Sequence, residues 1–224
     1  MKYYGYDLDP RIICYNSSLR HKVNIINIII EVARFVSISS PQSASELPKL
    51  LESDKIRLVL YIDEMRRILI EETNKIHSFH FPFIVKVENN KFILSFNDYQ
   101  ITNAECSILS AVFSGLAEYA SLEEILEQYW EVSADLNVPS TENELYYQLI
   151  TYLLSFEAGY LRFDHDEDER RVDKVLHPVN HIDFNYTNGA TFKFGLSQSI
   201  FHKQLIDVIN SKTPCYYLSI PQFR

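Results

Sequence analysis

The sequence predicts an α+β protein in three parts: a helical N-terminal subdomain over residues 1–78, a strand pair followed by three helices over 79–176, and a hairpin, helix and strand over 177–224. Three observations carry that expectation. Two apolar strands, PFIVKV and KFILSF, flank Asn89-Asn90. Thr102, Ser121 and Thr141 each stand three residues before a Glu, the pattern of a helix-capping box. A second alternating pair surrounds Asn188-Gly189. With 224 residues, 46% of them hydrophobic, and 15 Tyr and 14 Phe, the chain has enough apolar surface to bury a core of one or two domains.

In chain order, residues 11–15 (RIICY) form a candidate strand, and Asn16, Ser17 and Ser18 offer caps for a helix over 19–36. That helix has two adjacent apolar stripes. Leu19, Val23, Ile26, Ile30 and Ala33 make one, and Ile25, Ile28, Val32 and Phe35 the other. A helix apolar over most of its girth is buried on most sides. The second stripe, Ile25, Ile28, Val32 and Phe35, either completes an internal core or faces a partner or a second copy of the chain. A Ser- and Pro-containing loop and a short helix near 47–51 follow. Ser53 or Asp54 then caps a predicted helix running to about Ile76, with Leu58, Val59, Ile62, Met65 and Leu69 inward.

The central strand pair is specified by register. A two-residue Asn89-Asn90 turn sets Val87 opposite Phe92, Val85 opposite Leu94 and Phe83 opposite Phe96, all on one face, and Asn tolerates the positive φ such a turn requires. The three helices after it bury Cys106, Leu109, Val112, Phe113 and Leu116; then Ile125, Leu126, Tyr129 and Trp130; then Leu145, Leu149, Ile150, Leu153 and Leu154. Gly159 is the residue expected in the left-handed region after the third helix. Residues 160–163 would pair with 172–176 around the acidic tip DHDEDERR.

The hairpin with AECSILSAVFSG, SLEEILEQYW and ELYYQLITYLLSFEAGYL resembles the winged-helix superfamily, and within it the PqqD-like peptide-binding domains. The resemblance covers about residues 83–176 and implies a peptide or protein ligand added as a strand beside 92–96, with Ile93 at its centre. LRFDHDED with HPVNHIDF and the closing amphipathic helix resembles the tail of an uncharacterised bacterial family of defence islands. In this last part, a three-residue loop Thr187-Asn188-Gly189 pairs Tyr186 with Ala190, Phe184 with Phe192 and Ile182 with Phe194, and a helix over 199–210 and a strand over 215–220 finish the chain.

Charge narrows the function. The net charge is −9, and residues 92–161 hold 11 acidic side chains and no Lys or Arg. A DNA-reading winged helix needs cations to displace counterions from phosphates. Its third helix has none here, so no nucleic-acid partner is expected. Glycine-rich phosphate loops are missing, no apolar run is long enough to span a bilayer, and the N-terminal residues have no signal-peptide pattern. Cys14, Cys106 and Cys215 are unpaired by spacing and fit a reducing, cytoplasmic setting.

The candidate chemistry sits near the C-terminus. His181, Asp183 and Asn185 share one strand face, with Lys193 opposite Asp183. His181 and Asp183 would then offer two metal ligands, or Asp183 with Lys193 a nuclease-type site, although Thr191 stands where a restriction-type nuclease has an acid. The plainer expectation is a solvated face with one Asp183–Lys193 ion pair. His177 and His181 would chelate a metal on a helix, but Pro178 sets them in extended chain, roughly 13 Å apart. His77 and His80 read as linker residues. The sequence therefore favours a cytoplasmic protein-binding or scaffolding subunit of a bacterial complex, and the tail's resemblance implies a defence system. It would have a protein partner or be a homo-oligomer, without cofactor or membrane contact. The alternative is a metal-dependent nuclease or toxin-like effector using His181, Asp183 and Lys193.

Overall fold

The computed structural model describes residues 2–11, 19, 21–43, 51, 54–114, 116, 120–187 and 190–214. They form an α+β protein with antiparallel sheets. The larger sheet has seven strands: β1 (Tyr3–Leu8), β2 (Ile56–Tyr61), β3 (Arg67–Glu71), β4 (Lys75–His80), β8 (Leu161–His165), β9 (Asn180–Thr187) and β10 (Ala190–Leu196), in that spatial order. Between β4 and β8 the chain leaves the sheet to build a second unit. This unit holds the three-stranded sheet β5 (Ile84–Glu88), β6 (Lys91–Phe96) and β7 (Tyr99–Ile101), followed by α2 (Asn103–Ser114), α3 (Leu122–Asp135) and α4 (Asn143–Ser155). Strands from all three expected parts therefore share one sheet.

The central hairpin forms as its sequence requires. Val87 pairs with Phe92 and Val85 with Leu94, and Asn89 and Asn90 take φ of 50° and 56°. Thr102 and Ser121 cap α2 and α3 through Glu105 and Glu124. The third box does not form: a 3-10 turn at Ser140–Glu142 leads into α4 at Asn143. Gly159 does take φ +50°, but beyond the extended cap at Phe156. There it turns the chain into β8, and a Cβ would stand 3.3 Å from Arg67 Nη1. Arg67 donates to the Gly159 carbonyl at 2.6 Å, and the His80 amide to the Ala158 carbonyl at 2.8 Å, so both ends of the inserted unit are tied to the sheet.

Three expectations are overturned, and the alternative left open for the second stripe is resolved. Residues 54–76 are not a helix: they hold β2, β3 and the start of β4 in antiparallel register, Leu58 opposite Ile70 and Ile70 opposite His77. A strand buried on both faces loses its polar alternation, as β2 does with Arg57 its one charged residue, and such a run also fits helical spacing. Residues 160–163 do not pair with 172–176, because β8 lies between β4 and β9. The second stripe of α1 (Lys22–Ile38) is internal: Ile25, Ile28 and Val32 are buried, and Phe35 packs edge-on against Tyr6 at 5.1 Å. These four residues are core rather than a partner surface. Finally, β6 has a neighbour on each side, with Ile93 opposite Lys86 and Leu94 through Phe96 paired to β7, so that edge is not open for strand addition.

The expected strands at 11–15 and 215–220, the Asn16–Ser18 caps and the short helix near 47–51 fall largely or wholly outside the described residues. In the last hairpin Phe184 meets Phe192 and Ile182 meets Phe194 as expected. Ala190 instead pairs with Thr187, and a bulge between Ala190 and Phe192 absorbs the difference. One face of the large sheet is covered by α5 (His202–Ile209), whose Leu205 and Ile206 pack with Val59, Leu69, Ile76, Phe163 and Ile182. On the other face, the β1–β3 side chains and Phe79 join α1 and the inserted unit in the main core.

Candidate metal centre

That second face changes character along one cross-strand row. Register sets Tyr6, Leu58, Ile70, His77, Arg162, Asp183 and Lys193 side by side from β1 to β10. The row is apolar beneath α1 and charged from β4 onward. A parallel row holds Lys75, Asp164, His181 and Gly195. Alternation puts Arg162 with Asp164, and His181 with Asp183, on one face of adjacent strands.

These charged groups are not on a solvated face. His181 is 0% exposed, Asp183 1% and Asp164 5%. Asp183 does lie opposite Lys193, as the register expects, but its ion pair is with Arg162. Arg162 donates to Asp164 Oδ2 at 2.6 Å and to Asp183 Oδ2 at 2.8 Å. Each carboxylate thus spends one oxygen on the guanidinium. Asp164 Oδ1 and Asp183 Oδ1 are buried with no hydrogen-bond partner, and His181 Nε2 joins them. His181 Nε2 stands 3.5 Å from Asp164 Oδ2 and 3.9 Å from Asp183 Oδ2, beyond normal hydrogen-bond length. Ligand atoms from Asp164, His181 and Asp183 all lie within 4.8 Å of one another.

The histidine is oriented from behind. Its Nδ1 is 2.9 Å from the Pro178 carbonyl, which only accepts, so Nδ1 carries a proton. Nε2 then either holds a second proton between two carboxylates or turns a lone pair toward a cation. A carbonyl behind a ligating imidazole is the usual way a metal site fixes its tautomer. Gly195 makes room for the Pro178 ring: a Cβ there would meet Pro178 Cγ at 3.0 Å. Burial opposes protonation of His181, but Asp164, the Pro178 carbonyl and Asp183 outweigh it and raise its pKa. Burial likewise works to raise the Asp164 pKa, but His181, Arg162 and Lys75 hold it below the usual carboxylate range.

Above the cluster, a pocket of about 580 Å³ is lined by Lys75, Arg162, Asp164, Asp183 and Lys193, together with the 165–177 loop. Most side chains of that loop are exposed, as expected of an acidic tip, and ion pairs within it tie it down. Asp166 and Asp168 take Arg171 at 3.1 and 3.2 Å, and the Asp166 amide donates to the Val179 carbonyl at 2.8 Å. The chain doubles back so that the His177 and His181 rings lie 4.6 Å apart, far closer than extended chain allows. His177 Nε2 faces Asp166 at 3.3 Å and its Nδ1 faces Lys193 at 3.2 Å. His177 therefore belongs to the loop and not to the ligand cluster, whose third member is Asp164. His77, expected in a linker, is fully buried in β4 with Nδ1 3.1 Å from the Tyr160 hydroxyl.

Asp164 and Arg162 were missed at the sequence level, although R-x-D on β8 has the same alternation as H-x-D on β9. No family model, curated protein or solved structure matches the chain. Among the described residues, no helix is long and apolar enough to cross a membrane.

Proposed function

We propose that this protein holds a divalent first-row cation between Asp164, His181 and Asp183 and uses it to hydrolyse a small phosphoester. The observation that carries the proposal is the convergence of one oxygen each of Asp164 and Asp183 and a ring nitrogen of His181 within 4.8 Å, in a cluster where Asp164 Oδ1, Asp183 Oδ1 and His181 Nε2 are buried without a hydrogen-bond partner and both carboxylates line a polar pocket. An unsatisfied buried polar atom is destabilising, and three within one cluster ask for a partner. One imidazole with two carboxylates suits Mn²⁺ or Zn²⁺ better than a thiolate-seeking ion. Such a cation lowers the pKa of bound water and offsets charge on a phosphoryl oxygen. Lys75 and Lys193 line the same pocket, and neither has a carboxylate within ion-pair distance among the described residues. Both are placed to hold an anionic substrate. The −9 net charge disfavours a long nucleic acid, and a pocket of this size suits a nucleotide-scale ligand.

A second reading has one specific observation behind it. Arg162 already neutralises one charge of the Asp164–Asp183 pair, and a protonated His181 would neutralise the other. The cluster would then be a buried ion network that holds β8 to β9. Calorimetric titration of metal-stripped protein with Mn²⁺ and Zn²⁺ separates the two. The expected result is one site per chain, lost in Asp164→Asn and Asp183→Asn, with cation-dependent hydrolysis of p-nitrophenyl phosphate or its diester. Absence of stoichiometric cation binding by the folded wild type would leave the ion network as the whole account.

A further inference from the structure

The inserted unit has a partly exposed apolar row, two members of which, Leu126 and Trp130, the sequence pattern places inward. Trp130, expected inward on α3, is 55% exposed, and Leu122 on the same helix is 41% exposed. With half-buried Leu126 they stand at i, i+4 and i+8, one helical ridge roughly 12 Å long. The neighbouring ridge, at the next residue in each case, is Glu123, Glu127 and Glu131, all exposed. Leu122, Glu123, Leu126, Glu127 and Trp130 together line a shallow concavity of about 490 Å³. Ile125, Tyr129 and Val132 form the adjacent buried side of α3 and carry its packing in the core. Leu126 also packs against the main core at its inner edge, whereas the outer faces of Leu122 and Trp130 remain in solvent.

We propose that this face of α3 docks a basic amphipathic helix from another protein. Single exposed apolar residues need no explanation, but a Leu-Leu-Trp ridge beside three aligned carboxylates is a matched pair of features. Its spacing suits apolar residues at helical intervals on the partner, with Trp130 as the large anchor such grooves use. Charge selects the partner's flank. Residues 92–161 carry 11 acidic side chains and no Lys or Arg, so the whole inserted unit attracts a Lys- or Arg-rich segment and repels an acidic one. A second copy of this chain fits poorly, because an α3–α3 contact would press two Glu ridges together. The proposal is independent of the metal centre, which lies on the large sheet.

Trp130 is the chain's single tryptophan, so its emission reports the contact directly. The probe is a synthetic helical Leu/Lys peptide, with a Leu/Glu peptide of the same apolar spacing as control. The expected result is a saturable blue shift with the Leu/Lys peptide at physiological salt and none with Leu/Glu. The triple change Glu123→Lys, Glu127→Lys, Glu131→Lys should weaken binding by about tenfold, since exposed ion pairs each contribute modestly. The same kind of change at Glu88 and Asp98, exposed on and just after the central hairpin, should leave affinity unaltered. Leu126→Asp should abolish the shift, with circular dichroism confirming that the helices remain. Three results would overturn the proposal. One is no emission change with Leu/Lys peptide; another is equal loss from the Glu88 and Asp98 changes, which would mean attraction without a site. The third is self-association of the protein through α3 in place of peptide binding.

Discussion

Replacing Arg162 with Leu tests the charged cluster at its centre. The guanidinium is mostly buried, with a side-chain exposure of 16%, and it contacts two carboxylates whose side-chain exposures are 7% and 2%. Removing one partner of a buried ion pair leaves an uncompensated charge and destabilises by about 3–5 kcal/mol. Here two carboxylates lose the same cation, while His181 keeps part of the compensation, so a loss of about 3–5 kcal/mol is expected. Urea unfolding at neutral pH measures it as a lower midpoint at unchanged slope. Two further measurements follow from the same geometry. Saturating Mn²⁺ or Zn²⁺ should stabilise Arg162→Leu, by roughly 2.7 kcal/mol at a hundredfold excess over its dissociation constant. The triple variant Arg162→Leu, Asp164→Asn, Asp183→Asn should recover much of the loss without metal, because the buried charges leave together. A loss below about 1 kcal/mol in the single variant would refute the charge reasoning. A full loss that no divalent cation relieves would refute the metal reading while leaving the ion network intact.

Three other outcomes are expected. Changing Ile28 and Phe35 of α1 to Asp should prevent folding, since Ile28 is 2% exposed in the main core; a folded double variant seen by circular dichroism would contradict that packing. Gly195→Ala should push Pro178 off the sheet and loosen His181, lowering stability by about 1–3 kcal/mol and cation affinity with it; an unchanged protein would mean that the 3.0 Å approach relaxes freely. Acid should destabilise the protein through His77, whose pKa is pushed down to about 3, first by burial and then by the Arg162 charge. The unfolded chain binds that proton near pH 6.5 and the folded chain does not, so stability is complete above pH 6.5 and falls as pH drops toward 3. The slope is at most about 1.4 kcal/mol per unit for this one group, and His77→Gln should flatten it by about one proton. Identical pH slopes for the two proteins would remove His77 as the cause.

Local chemistry was legible wherever a turn or cap fixed it. Asn89 and Asn90 set the register of β5 and β6, and Ser121 with Glu124 set the start of α3. Long-range pairing was not. IRLVLY and RILIE read as one helix because strands covered on both faces lose the alternation that distinguishes them, and the turn between them hides its geometry in Arg66 at φ 39°. The same limit hid the site. H-x-D on β9 was visible, but its burial and its Arg162 partner depend on β8 pairing with β9 and also with β4, Lys75 opposite Asp164 across the whole inserted unit. No periodicity within a strand encodes which distant strand lies beside it. Trp130 failed in the opposite sense, because an amphipathic pattern counts apolar residues without saying whether a ridge meets the protein's own core.

The two halves of the large sheet bear on why the charged cluster exists at all. From β1 to β3 the face under α1 is filled by Tyr6, Leu58 and Ile70, and the same row continues as His77, Arg162, Asp183 and Lys193. Apolar residues could have continued that row, since well-packed hydrophobic groups replace buried ion pairs without loss and often with gain. The opposite face of the same strands is apolar through Ile76, Phe163 and Ile182 against α5, so nothing in β8 or β9 themselves forbids it. Instead the 165–177 loop and Pro178 are folded over the charged half, and Gly195 is left without a side chain so that Pro178 can approach His181. A glycine, a carbonyl and an arginine are all spent on holding two carboxylates and an imidazole with one open atom each. Stability alone does not select that arrangement, whereas the proposed cation site would.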